Sequence, residues 1–289
     1  MKCFYHGSDF DGKGSAAIVK YFNPECECIP LIHGKGFPWH KINPEETVYM
    51  VDFSIAPQFM IRLNDLCKEF IWIDHHISAI EEYEKNVKEH GEIAGLREDG
   101  RAAIELTWEY FMKDRLEIAT TPLVVTMLGR YDVWDLDYDP RVMPFQYGLR
   151  LYDLKPDDHM WVELFEDYEE GDWVNEITKK GLAVLAYQKQ EYIRYMKSYS
   201  FEGRFDCYKA IFVNRSNTSS QIFDGFYDPY KHDIMVCFVM TSDNRWRVTV
   251  YTDKDWVDCS MIARKYGGGG HAKAAGFVIE NFLGMIEKD

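Results

Sequence analysis

The sequence predicts an α/β protein: an N-terminal parallel sheet with helices on both faces (residues 1–150), a helical linker (151–204) and a smaller C-terminal α/β domain (205–289). Three observations carry this. Short apolar, β-like runs alternate with amphipathic stretches over the first 135 residues. The run ITKKGLAVLAYQKQEYIRYMKSY places apolar residues at three- and four-residue spacing. From Phe205 onward strand-like runs return and lead into a helix and four glycines.

Element by element, Lys2 to Tyr5 reads as a strand and Ser15 to Phe22 as a helix that stops before Pro24. Cys28 to Ile32, Thr47 to Val51 and Phe70 to Ile73 read as further strands, with Pro57 to Glu69 a helix between the last two. Helices are expected at Ala102 to Lys113 and Pro122 to Leu128. In the last third, Tyr208 to Val213, Asp233 to Met240 and Trp246 to Thr252 read as strands.

With 289 residues the chain can bury two cores, and 46% hydrophobic with 16% aromatic residues excludes a disordered chain. Lys+Arg 33 against Asp+Glu 48 gives a formal charge of −15, which repels polyanions at long range. Tracking along long duplex nucleic acid is therefore not expected, whereas a short anionic substrate held locally is. Seven scattered cysteines with no C-x-x-C pair fit reduced thiols and a cytoplasmic setting. The N-terminus lacks an apolar signal core, and no apolar run approaches the roughly 20 residues of a membrane span.

Three of the apolar runs end in acidic or imidazole residues: FYHGSDFDG, VYMVDFS and IWIDHH. In an open parallel sheet ligands bind beyond the carboxyl ends of the strands, so the three clusters converge on one crevice. They bring together Asp9, Asp11, Asp52 and Asp74 with His6, His75 and His76. Carboxylates packed so closely repel one another unless cations neutralise them. A mixed oxygen and imidazole set without thiolate suits two Mn²⁺ ions, or Mg²⁺, better than structural zinc. Taken singly, an aspartate at a strand end is most often a helix N-cap, and the signal lies in three coincidences at three strand ends. A P-loop reading of Gly7, Gly12 and Lys13 fails because residue 14 is Gly where a Ser or Thr should bind magnesium.

Asp74-His75-His76 after an apolar strand resembles the name-giving motif of DHH phosphoesterases. HGSDFDGKGSAA, VDFS and GRYDVWD resemble that family's first, second and fourth motifs. The resemblance implies His6, Asp9, Asp11, His75 and Asp132 as metal ligands, with Asp52 bridging. It gives His76 a contact with the phosphate or the leaving group, and Asp74 an orienting role. Many members place the histidine four residues before the first aspartate, whereas His6 stands three before Asp9. GGGGHAKAAGF resembles the glycine-rich signature of the DHH-associated substrate-binding domain, implying Gly268, Gly269, Gly270 and His271 as substrate contacts. A glycine run there also lets the backbone approach an anion and present N–H groups. Many relatives carry an Arg-Ser pair where Tyr251 and Thr252 stand. Arg215, Arg245, Arg247, Arg264 and Lys273 are candidate phosphate clamps.

The function expected is hydrolysis of phosphate esters of short nucleotides or oligonucleotides, such as nano-oligoribonucleotides, 3′-phosphoadenosine 5′-phosphate or a cyclic dinucleotide product. Inorganic polyphosphate is the alternative substrate, and a non-catalytic nucleotide sensor the alternative class. The partners expected are that short substrate, no membrane, and in one compatible arrangement a second copy of the chain.

Overall fold

The computed structural model describes all residues except 88–91, 114–119, 169–170, 217 and 288–289. Four strands, β1 (Lys2–His6), β2 (Glu27–Leu31), β3 (Thr47–Val51) and β4 (Glu69–Ile73), form a parallel sheet in the order β2-β1-β3-β4. Strand alternation sends successive side chains to opposite faces, and both are covered. Phe4, Val48, Met50, Phe70 and Trp72 pack with Met60 and Leu63 of α2 (Pro57–Leu66) and with Ile80 and Tyr83 of α3 (Ile77–Val87). Cys3, Tyr5, Tyr49, Val51, Ile71 and Ile73 pack with Ala16 and Val19 of α1 (Phe10–Phe22) and Leu106 of α4 (Ala103–Met112). A second layer, α5 (Leu123–Asp132), α6 (Val142–Leu149) and α7 (Met160–Glu166), closes over α1 and α4 around Ile18, Trp108, Val125, Phe145 and Trp161.

Helix α1 begins at Phe10, five residues before the expected start. Asp9 caps it, its carboxylate accepting from Gly12 N at 3.0 Å. Gly12 and Gly14 argue against a helix by propensity, but packing requires them: a Cβ on Gly12 would lie 2.2 Å from His6 O, and one on Gly14 2.4 Å from Ile104 Cδ1. A further extension of the sheet was not anticipated. Residues 93–98 run beside β4, where Trp72 N donates to Ala94 O at 2.8 Å and Asp74 N to Leu96 O at 3.1 Å. Gly95 makes this approach with φ 129°, and a Cβ there would meet Trp72 O at 1.9 Å.

The 28-residue α8 (Asp172–Tyr199) follows, and the division between two compact units, Met1–Leu185 and Ala186–Asp289, falls within it. Residues 151–185 thus cluster with the first unit. The second unit is a seven-stranded sheet ordered β11-β5-β6-β7-β8-β10-β9. Its strands are β5 (Ser200–Phe205), β6 (Tyr208–Val213), β7 (Ile234–Met240), β8 (Trp246–Tyr251), β9 (Gly269–Gly270), β10 (Ala274–Ile279) and β11 (Ile286–Glu287). Only β6 and β7 pair in parallel among them. Helix α9 (Cys259–Lys265), capped by Asp258, packs Ile262 and Ala263 against Phe205, Val248, Val250 and Phe277. Four of these strands, β5, β9, β10 and β11, lie outside those expected from sequence. No helix among the described residues is long and apolar enough to cross a membrane.

Candidate metal centre

Because β1, β3 and β4 are neighbours running the same way, their carboxyl ends deliver His6, Asp52 and Asp74 to one edge of the sheet. Asp52 caps the arrangement with φ 52°, a left-handed conformation that non-glycine residues adopt mainly as Asn or Asp, and its N–H donates to Ile73 O at 3.0 Å. The conformation turns its carboxylate, 2% exposed, toward both flanking strands. Asp52 Oδ2 lies 3.4 Å from His6 Nδ1, and Oδ1 lies 3.3 Å from His75 Nε2.

Three groups of side chains have ligand atoms within 4.8 Å of one another: His6 with Asp9 and Asp52; Asp11 with His75 and Asp132; and Asp52 with His75 and His76. All six residues expected as ligands are therefore brought together, and no cysteine enters the groups found among the described residues. Asp132 arrives from the last turn of α5, its Oδ2 3.3 Å from His75 Nε2. Asp9 and Asp11 are also helix caps. Asp9 gives Oδ1 to Gly12 N and turns Oδ2 to His6 Nδ1 at 2.9 Å. Asp11, 3% exposed, accepts from Ala103 N at 3.0 Å and Ile104 N at 2.7 Å, capping α4 from a different helix.

Asp74 is fully buried and acts as the hub of the DHH triplet. Its Oδ1 accepts from His75 N at 2.8 Å and His76 N at 3.2 Å and pairs with His76 Nδ1 at 2.7 Å, while Trp72 Nε1 donates to Oδ2 at 3.2 Å. With Nδ1 engaged, His76 presents Nε2 to whatever enters the site. Trp72, and Arg97, which donates to Trp72 O at 3.0 Å and stacks on its ring at 5.1 Å, support this hub. Neither was expected from sequence, although Trp72 shares a strand face with Asp74 two residues on. His33 was also missed: it stacks on Phe53 at 4.5 Å and meets His6 edge-on at 5.3 Å.

The electrostatics show carboxylates competing for protons. Hydrogen bonds from the protonated ring to Asp52 and Asp9 lift the His6 pKa to about 10, and Asp74 lifts His76 to about 9. Burial opposes charge on His75, yet Asp52 and Asp132 raise it. Burial, then Asp52, Asp132 and Asp9, push Asp11 far above the carboxylate range, and burial leads in raising Asp132 to about 6. Burial works to raise Asp9 too, but His6 and Gly12 N hold it below its usual value. A donor set that retains protons for want of positive charge fits hard divalent cations in their place.

In the second unit, the glycine run is engaged differently from the expectation of free N–H groups. Gly268 N donates to Ala263 O at 2.9 Å and His271 N to Ala274 O at 2.8 Å, while Gly269 and Gly270 pair with β10. Gly268 is glycine because a Cβ would lie 2.2 Å from Gly276 O. His271 sits exposed in the turn after β9. Tyr251 Oη donates to Thr218 O and Thr252 Oγ1 to Asp233 O, so both serve the local framework. Of the expected clamps, Arg245 pairs with Asp243 and Lys273 with Asp255, while Arg215 stacks between Tyr192 and Tyr195.

Residues 208–288 match the DHHA1 domain model. Oligoribonuclease NrnB of Bacillus subtilis (strain 168) is 25% identical over 303 residues, covering 96% of this chain and 72% of that protein. The family match thus covers the second unit, and the likeness to the oligoribonuclease runs over nearly the whole chain. Uncharacterized protein R106 of Acanthamoeba polyphaga mimivirus is 24% identical over 310 residues, covering 98% of this chain and 68% of its own length. The pGpG-specific phosphodiesterase PggH from Vibrio cholerae shares the fold, with a TM-score of 0.54 at 14% identity over 96% of this chain and 92% of that one.

Proposed function

We propose that this chain is a DHH-family phosphoesterase that hydrolyses phosphate esters of short nucleotides or oligonucleotides with two hard cations, Mn²⁺ foremost. His6, Asp9 and Asp52 would hold one ion, Asp11, His75 and Asp132 the other, with Asp52 shared. The observation that carries the reading is the position of Asp52, whose two oxygens face His6 and His75 separately. Bound there, such ions supply Lewis acidity at the phosphoryl group and acidify water.

The remaining chemistry belongs to the chain. Asp74 fixes the His76 ring and keeps a proton on Nδ1, so His76 meets a phosphate oxygen or the leaving oxygen through Nε2. The Asp74 carboxylate beside it raises the His76 pKa, which suits the ring to that anionic contact. His271, with Gly268, Gly269 and Gly270, supplies substrate contacts from the DHHA1 domain, the imidazole rather than the hydrogen-bonded N–H groups of Gly268 and His271 meeting the phosphate. The name of the Bacillus subtilis relative, an oligoribonuclease, supports a short nucleotide substrate.

The test is a hydrolysis panel of dinucleotide, pentanucleotide, 3′-phosphoadenosine 5′-phosphate and polyphosphate in Mn²⁺. Turnover of a short nucleotide that disappears in excess EDTA is expected. Turnover confined to polyphosphate, or undiminished in EDTA, would overturn the reading.

A further inference from the structure

A cavity of about 410 Å³ opens beside the proposed metal centre in the first unit, sharing Asp9 with it and lined also by Lys13, Gln146, Arg150 and Asp153. In a chain of formal charge −15, cations normally find carboxylates: Lys2, Lys20, Arg101, Arg130 and Arg141 all do. Lys13 and Arg150 make no ion pair among the described residues, although Asp9 and Asp153 line the same cavity. Arg150 is nevertheless held in place, stacked on Tyr147 at 4.4 Å and donating to Tyr131 Oη at 3.0 Å. A guanidinium pre-organised in this way loses little freedom when it takes up an anion, and its planar fork matches a phosphate. Gln146 is 5% exposed, and its side-chain oxygen has no hydrogen-bond partner among the described residues. Such a buried acceptor calls for a donor, which a hydroxyl of the substrate beside the phosphate would bring.

We propose that this cavity is a subsite for a second phosphate of the substrate, one that is not cleaved, held by Lys13 and Arg150. The assignment rests on the reading of the chain as a nucleotide phosphoesterase. It deepens that reading to substrates with a terminal phosphate next to the scissile linkage. Asp153 opposes the same anion and tempers its affinity.

The experiment compares a 5′-phosphorylated dinucleotide with its 5′-hydroxyl counterpart. Binding of both is measured calorimetrically in Mn²⁺ with a non-hydrolysable phosphonate linkage, and hydrolysis is measured with the natural linkage. The wild type should bind the phosphorylated analogue at least about tenfold more tightly, the preference expected of charge-assisted bonds. Lys13→Gln with Arg150→Gln should bring the ratio to within about twofold, and Asp153→Asn, which needs no disruptive change, should widen it. A wild-type ratio near one, or a ratio unmoved by these substitutions, would overturn the assignment. If the binding ratio responds while neither natural dinucleotide is hydrolysed, the subsite stands and the phosphoesterase reading falls. If both are hydrolysed and the ratio is one, the reverse holds.

Discussion

Replacing Asp52 by Asn separates chemistry from folding better than any other change at the centre. The carboxylate is 2% exposed and its oxygens face His6 at 3.4 Å and His75 at 3.3 Å, so one charge serves two groups of ligands. Asn keeps the shape and tolerates the φ of 52°, leaving the hydrogen bond from Asp52 N to Ile73 O in place. Unfolding free energy should therefore change by less than about 1 kcal/mol, the range of substitutions that neither open a cavity nor strain the backbone. On the proposed assignment, neutralising the shared ligand would weaken both cation sites at once. Altering even an outer partner of a metal ligand typically costs about 10- to 100-fold, so kcat should fall at least about 100-fold, equivalent to about 2.7 kcal/mol of barrier. The assay is hydrolysis of a short oligonucleotide across an Mn²⁺ titration, alongside urea unfolding of both proteins. Retention of more than about a tenth of wild-type kcat at saturating Mn²⁺ would refute a shared role for Asp52.

Three other outcomes are expected. His271→Ala should lose about 1.5–3 kcal/mol, or roughly ten- to a hundredfold in kcat/KM, with Mn²⁺ affinity nearly unchanged, whereas His75→Ala should lower Mn²⁺ occupancy first; parallel metal titrations of the two variants decide this. Because His6 carries a proton up to about pH 10, Mn²⁺ binding near pH 7 should release protons and strengthen as pH rises; calorimetry in buffers of different ionisation enthalpy should return fewer protons from His6→Gln than from the wild type, and an equal release would mean that the histidine is not a ligand. Gly95→Ala should cost about 2–3 kcal/mol, since the new Cβ would meet Trp72 O at 1.9 Å on a backbone of φ 129°, and an unchanged urea midpoint would contradict the close approach.

The convergence of the candidate metal centre was legible because most of its residues sit at the ends of strands that the apolar runs already mark. Asp52 after VYMV and Asp74 after FIWI stand just beyond β3 and β4, whereas the reversal that puts β1 between β2 and β3 is not written in the apolar runs. The start of α1 was not legible, because glycine's propensity points away from helix while Gly12 and Gly14 are demanded by contacts with His6 and Ile104, the latter ninety residues away in sequence. Strands β9 and β10 were hidden for a related reason. Gly268 and Gly270 look like backbone freedom but mark close packing against Gly276 and Ala275. Arg97 and the 93–98 segment carry no periodicity at all, and their pairing with β4 exists only in three dimensions.

Asp11 illustrates how an acidic residue can be a helix cap and a site residue at once. Both of its oxygens accept N–H groups that begin α4, while one of them also lies 3.6 Å from His75 Nε2. An alanine scan would score this position as a stability defect and an activity defect together, with no way to apportion the two from a single substitution. Substitution at residue 11 is accordingly constrained from two directions. Any replacement must accept the N–H groups that open α4 and keep an oxygen toward His75, so a chain that gave up the chemistry would still need a hydrogen-bond acceptor there.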